Sequence, residues 1–266
     1  MPMSSNHNPI GVFDSGVGGT SVWQEIIKLL PSENTIYLAD SKNAPYGTKS
    51  QEEIIALSIK NTEFLLEKGC KIIVVACNTA TTNAIAHLRA HYNVPFIGIE
   101  PAIKPAALHT KTNAVGILAT KGTLSSELFA KTSATFAKDV QIIEQVGTGL
   151  VELIEANQLN SPETYQLLVQ YLHPMIEKHI DYLILGCTHY PYLIPQIKEI
   201  LPPKVTIIDS GEAVARQTKN ILNQNNILHT STQSGSHLIY SNADVFTLKH
   251  LLKDLNVNME IIKKDF

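Results

Sequence analysis

Short, continuously apolar runs alternate along the chain with longer stretches in which apolar and polar positions follow a helical period. The runs cover residues 10–13, 35–39, 71–76, 96–99, 114–118, 141–144, 182–185 and 205–208. Each has the length of a strand, and one with no polar position on either face requires helices covering both sides. The pattern predicts an α/β fold with mainly parallel sheets flanked by helices. Ser50 followed by Glu53 is a capping box in sequence, and Gly69 stands where the helix begun there should stop. Residues 223–236, rich in Asn, Gln, Ser and Thr, read as an exposed connection. Beyond it a strand at 237–240, a helix over 243–255 and a strand at 258–262 form a last unit.

The chain also echoes itself. Glu67-Lys68 precedes a run ending in Ala76-Cys77-Asn78-Thr79, and Glu177-Lys178 precedes, at the same distance, a run ending in Gly186-Cys187-Thr188-His189. A fainter echo sets Ile10 to Ser15 against Val115 to Thr120. The repeat predicts two similar α/β halves, each with a cysteine closing a buried strand.

Composition narrows the class. A chain of 266 residues has room for two domains, and 44% hydrophobic against 17% charged residues describes a soluble, well-buried protein. The net charge of -3 provides no broad positive field, which argues against nucleic acid or a membrane surface as partner. No apolar run approaches the about 20 residues needed to span a bilayer. Residues 1–8 contain neither the basic nor the apolar segment of a signal peptide, so a cytoplasmic protein is expected. Its cysteines, Cys70, Cys77 and Cys187, are odd in number and should then be free thiols.

In parallel sheets, ligands bind beyond the carboxyl ends of the strands. Four groups of reactive residues stand there: Asp14-Ser15-Gly16, Pro45-Tyr46-Gly47, Cys77-Asn78-Thr79 and Cys187-Thr188-His189. Cys77 and Cys187 each precede an expected helix, over 79–92 and 192–201, whose N-terminus would favour thiolate. Cys70 lies before its strand, without the hydroxyl and amide escort of the other two, and reads as a small buried hydrophobe. The glycines after Asp14 match neither phosphate-binding fingerprint, so they read as close backbone approach to a small ligand. Cys187 and His189 form one C-x-H pair without a second, weak grounds for a metal site. Two thiols with small hydroxyl and amide residues and no cofactor motif point to proton transfer at carbon. Racemisation takes a proton from one face and returns it to the other, so equivalent thiols on mirrored halves suit that task.

These motifs resemble those of the glutamate racemases of the aspartate/glutamate racemase superfamily. The matching segments run from Val12 to Gly19, through Asp40 with Pro45-Tyr46-Gly47, Ala76 to Ala80 and Gly186 to Pro191, to Asp209-Ser210-Gly211. The resemblance implies two domains facing across a cleft and related by a pseudo-twofold axis, 1–99 plus 210–266 in one and 100–209 in the other. It implies that Cys77 serves as base for D-glutamate with Asp14 assisting, and Cys187 for L-glutamate with His189 assisting. Asp14, Ser15, Tyr46, Gly47, Asn78, Thr79, Thr120, Thr123, Thr188 and His189 are similar to the substrate-holding residues. Glu155 best matches the acidic partner of His189, with Glu152 the alternative. No cofactor or metal is implied; the expected roles are D-glutamate supply for peptidoglycan and assembly as a homodimer. Some members with a longer N-terminal extension are activated by a wall precursor, which the short leader before Ile10 leaves open here. An aspartate or related racemase, or a non-catalytic two-domain amino-acid binder, stands as the competing reading.

Overall fold

The computed structural model describes residues 6–266; residues 1–5, part of the segment used for the signal-peptide reading, lie outside the described residues. Among the described residues, ten strands form two sheets. β1 (Ile10–Asp14), β2 (Thr35–Ala39), β3 (Ile72–Val75) and β4 (Phe96–Gly98) belong to one, together with β9 (His237–Ser241) and β10 (Met259–Lys263) from the C-terminal end. β5 (Ala114–Ala119), β6 (Gln141–Val146), β7 (Tyr182–Gly186) and β8 (Thr206–Ile208) form the other. Every pairing among them is parallel.

The strand orders explain the repeat. The first sheet contains β2-β1-β3-β4 and the second reads β6-β5-β7-β8, so β1 corresponds to β5 and β3 to β7. β9 and β10 extend the first sheet beyond β2. In such an order the chain reverses direction between the first and third strands of each half, and the crevice outside their carboxyl ends is where loops part to admit a ligand. Cys77 follows β3 and Cys187 follows β7, so both thiols stand at the equivalent crevice of their halves.

Local chemistry sets the element ends as the sequence requires. Ser50 accepts the Glu53 amide at 3.3 Å while Glu53 accepts the Ser50 amide at 2.9 Å, completing the capping box of the helix Gln51–Glu67. Gly69 follows with φ of 78°, the left-handed turn that glycine adopts without steric cost. β1, β2 and β3 are buried at every position, as runs without a polar face demand. Behind them the fully buried Trp23 donates its indole N–H to Thr35 at 2.8 Å, so its large apolar surface is buried with its one donor satisfied.

Two expectations need adjusting. The last helix is only Phe246–Leu251: the Phe246 amide donates to Asp244 in a turn just before it, and Leu252 ends it. Asn223 and Gln224 complete the helix Gly211–Gln224 rather than opening the connection. The connection itself is anchored: the His229 amide donates to Glu33 at 2.8 Å, and Glu33 pairs with the buried Lys71 at 2.6 Å.

Among the described residues no helix is long and apolar enough to cross a membrane.

Candidate active site

The carboxyl ends of the two sheets face each other, and Cys77 and Cys187 line one cavity between them. Both thiols are free and buried. Ser15, Tyr46, Gly47, Asn78, Thr79, Thr120, Thr188 and His189 complete most of its wall, while Asp14, Thr123 and Glu155 stand behind that lining. The cavity is about 10 Å³ in volume, room for a single water. The cleft as it stands is too small for an amino acid, so admitting one requires its walls to move apart.

The two thiols have different surroundings. Cys77 caps the helix Asn78–His91: its Sγ accepts the Ala80 amide at 3.4 Å and faces the Ser15 hydroxyl at 3.6 Å. The expected lowering of its pKa by the helix N-terminus does not prevail. Burial pushes the thiol well up, the nearby Asp14 charge pushes the same way, and the Ala80 and Ser15 contacts offset only part of this. Cys187 is followed by a 3-10 turn at Tyr190–Leu193 and only then by the helix Ile194–Ile200, not by one helix from 192. Pro191 and Pro195 lack the N–H donors of a regular helical start, so Cys187 has a histidine for its neighbour instead of an open helix N-terminus.

That neighbour is His189, whose Nδ1 lies 3.8 Å from the Cys187 sulfur. Its Nε2 lies 2.7 Å from Oε1 of Glu155. Burial works against a charge on the ring, but Cys187 and Glu155 outweigh it and raise the His189 pKa well above the ordinary range. Burial likewise pushes Glu155 up, yet His189, the Val17 amide and the Ser41 hydroxyl together hold its carboxyl low. Glu155, not Glu152, is therefore the carboxylate in contact with His189. Glu152 lines a separate surface pocket with Lys121 and Thr148.

Asp14 is fully buried and accepts the Gly16 and Gly19 amides at 3.1 and 2.9 Å on one oxygen and Thr188 at 3.2 Å on the other. The hydroxyl beside Cys77 belongs to Ser15. Thr79, Thr120 and Thr123 join hydroxyls across the cleft, with Thr79 to Thr120 at 2.8 Å and Thr120 to Thr123 at 3.0 Å. The Tyr46 hydroxyl donates to Asp40 and accepts from Asn61 at 3.1 Å. Tyr46 thus fixes its loop through Asp40, leaving the adjoining backbone of Gly47 toward the cavity. Asn78 is 3% exposed, and among the described residues neither its Oδ1 nor its Nδ2 has a partner. A buried primary amide left wholly unpaired costs stability.

The glycine-rich loop works differently from the expectation. A Cβ on Gly16 would lie 1.9 Å from Oε1 of Glu155, and one on Gly18 would lie 2.2 Å from Nδ1 of His189. What approaches the backbone at Gly16 and Gly18 so closely is the opposite half of the protein. Gly47 against Thr120, at 2.8 Å, follows the same rule. Sequence reasoning passed over Ser41, which donates to Glu155 at 2.8 Å, and Asn242, which donates to Asp40 at 2.5 Å. Each follows the end of a strand in the first sheet, the location that should have drawn attention to both.

Residues 10–218 match the model of the Asp/Glu/hydantoin racemase family. The chain belongs to that family. It is accordingly an isomerase of the amino-acid racemase kind, and relatives within the family narrow the comparison. A glutamate racemase of Herpetosiphon aurantiacus is 49% identical over 228 residues, covering 86% of this chain and 90% of its own. The crystal structure of glutamate racemase isoform RacE1 from Bacillus anthracis superposes with a TM-score of 0.86 at 33% identity, covering 98% of each chain. Glutamate racemase of Escherichia coli, solved with L-glutamate and the activator UDP-MurNAc-ala, gives 0.84 at 33% identity, with 96% of this chain and 98% of that one covered. The resemblance read from the motifs thus extends through the whole racemase fold.

Proposed function

We propose that this racemase interconverts L- and D-glutamate by a two-base mechanism without a cofactor, and so supplies D-glutamate for peptidoglycan in the cytoplasm. The observation that carries the mechanism is the pair of cysteines at equivalent strand ends lining one closed cavity. The glutamate specificity rests on the relatives named above.

Cys187, paired with a charged His189, takes the α-proton of L-glutamate, and Cys77 returns a proton on the opposite face. The elevated pKa of Cys77 suits it to hold that proton as a neutral thiol until it is needed. In the other direction the roles exchange. An α-hydrogen beside a carboxylate is a very weak acid, so the developing charge must meet fixed dipoles in a dry site. The unpaired Asn78 amide and the hydroxyls of Ser15, Thr79 and Thr188 are those dipoles, available to the substrate's carboxylate and ammonium groups.

The test is incubation of L- and D-glutamate, and separately L-aspartate, with the protein in D₂O without added pyridoxal phosphate or metal. Optical activity and α-hydrogen exchange are followed together. Loss of optical rotation with deuterium entering at the α-carbon is expected for glutamate, with each of Cys77→Ser and Cys187→Ser slowing it at least about 10²-fold. Turnover of aspartate alone would overturn the substrate, ligand binding without turnover would overturn the activity, and full racemisation by either variant would overturn the mechanism.

A further inference from the structure

We infer that Ser41 is a positioning residue for the Cys187 half of the reaction, acting through Glu155 and His189 once the two halves close on each other. The inference rests on the glutamate racemisation proposed above.

Glu155 ends the helix Leu150–Glu155 beside the second sheet, yet most of what holds it comes from the first half of the molecule. Oε1 accepts the Val17 amide at 2.7 Å and lies 2.7 Å from His189. Oε2 accepts the Ser41 hydroxyl at 2.8 Å, and the backbone carbonyl accepts Thr247 at 2.8 Å. A carboxylate turns about one bond, so a donor on Oε2 fixes the plane in which Oε1 presents its lone pair to the imidazole. The Glu155 side chain retains 16% exposure, so water can replace the hydroxyl when the halves part, and water does not fix that plane.

Ser41 is itself held firmly. It follows Asp40, which accepts Asn43 at 2.7 Å and Asn242 at 2.5 Å and also the Tyr46 hydroxyl. The strand end, Ser41 and the cavity loop at Tyr46 therefore move as one piece. Closing that piece over a substrate brings Ser41 to Glu155, and so aligns His189 against the Cys187 sulfur. Among the described residues no cross-cleft hydrogen bond reaches the Cys77 thiol itself: its contacts, Ser15 and Ala80, belong to its own half, and Thr188 donates across the cleft to the neighbouring Asp14 rather than to the sulfur. The effect of Ser41 should accordingly be confined to one of the two proton transfers.

Ser41→Ala and Ser41→Thr separate this role from a merely structural one. The measurements are kcat/KM in both directions and the primary isotope effects with α-deuterated L- and D-glutamate. For Ser41→Ala, kcat/KM is expected to fall about tenfold, equally in both directions because the enantiomers are equal in energy. The isotope effect should rise for L-glutamate and fall for D-glutamate, since the step at Cys187 then limits both directions. Ser41→Thr, which keeps the hydroxyl, should restore the wild-type ratio. Isotope effects at the wild-type ratio in Ser41→Ala, whatever its activity, would overturn the inference. A wild-type protein with no glutamate turnover would instead overturn the proposed activity, and this inference with it.

Discussion

Thr188 donates to Oδ1 of Asp14 across the cleft at 3.2 Å. One residue follows Cys187 and the other ends β1, the strand beside the one that leads to Cys77, so a buried carboxylate sits between the two thiol loops. Three donors reach it, and the charged His189 favours its ionised form as well. Burial is nevertheless the larger effect, and the Asp14 pKa is raised. The closed cleft therefore keeps a carboxylate in a place that penalises its charge, the kind of local cost that catalytic sites retain for function.

That cost should be visible in stability. A raised carboxyl pKa means the folded protein binds the proton more tightly than the unfolded chain. Asp14 then costs no folding energy below its ordinary value of 3.8, and its penalty develops as pH rises through the folded value. Asp14→Asn is expected to melt above wild type at pH 7, with the gap narrowing toward pH 4, and to lose about 10²-fold in racemisation. Thermal melts across pH 4–8 alongside the activity assay check this; a variant less stable at pH 7 than at pH 4 relative to wild type would contradict it.

Asn78 offers a cleaner separation of stability from binding. Its amide has no partner in the closed cleft, so Asn78→Ala removes an unpaired buried group and adds a better helix former in the first turn. Stability should stay level or rise by about 1 kcal/mol, while KM for glutamate rises about tenfold. Denaturant melts and steady-state kinetics together decide it, and a destabilised variant with unchanged KM would refute the assignment.

Gly16→Ala and Gly18→Ala test the closed cleft directly. The added carbon displaces the Glu155 carboxylate in one variant and the His189 ring in the other. A carboxylate end can swing aside at little energetic cost to folding, but it then leaves the imidazole. Misplacement on the order of 1 Å at such a group costs about 10²-fold in rate. For Gly16→Ala near-normal melting with kcat/KM reduced by about that factor is the expected result, whereas Gly18→Ala, whose added carbon also lies 2.6 Å from the His189 backbone nitrogen, should melt lower as well; full activity in Gly16→Ala would show that closure does not bring this backbone against Glu155.

Much of this was legible beforehand. Parallel strands buried on both faces must be apolar throughout, and residues at their carboxyl ends are freed from that demand, so β3 and β7 announced themselves together with the cysteines that follow them. Choosing between Glu152 and Glu155 lay beyond reading of the helix alone. The two are three residues apart and share a helical face, and only the position of His189 in space separates them. Ser41, Asn242 and Thr247 were passed over for a related reason: each acts through a hydrogen bond to a residue distant in sequence, which leaves no local period or spacing to read.

The sequence by itself determined the α/β class, the doubled half with a thiol at each crevice, and the free state of the cysteines. These follow from apolar periodicity and residue type, which act over a few neighbours. The tertiary structure decided how the charges are shared. Whether a thiol near a helix end is acidic depends on how much water and which carboxylate lie beside it, and burial reversed the expectation at Cys77. It also decided that the glycine loop admits the opposing half of the protein, because close approach of backbone to side chain is a property of two surfaces meeting and is written in neither one alone.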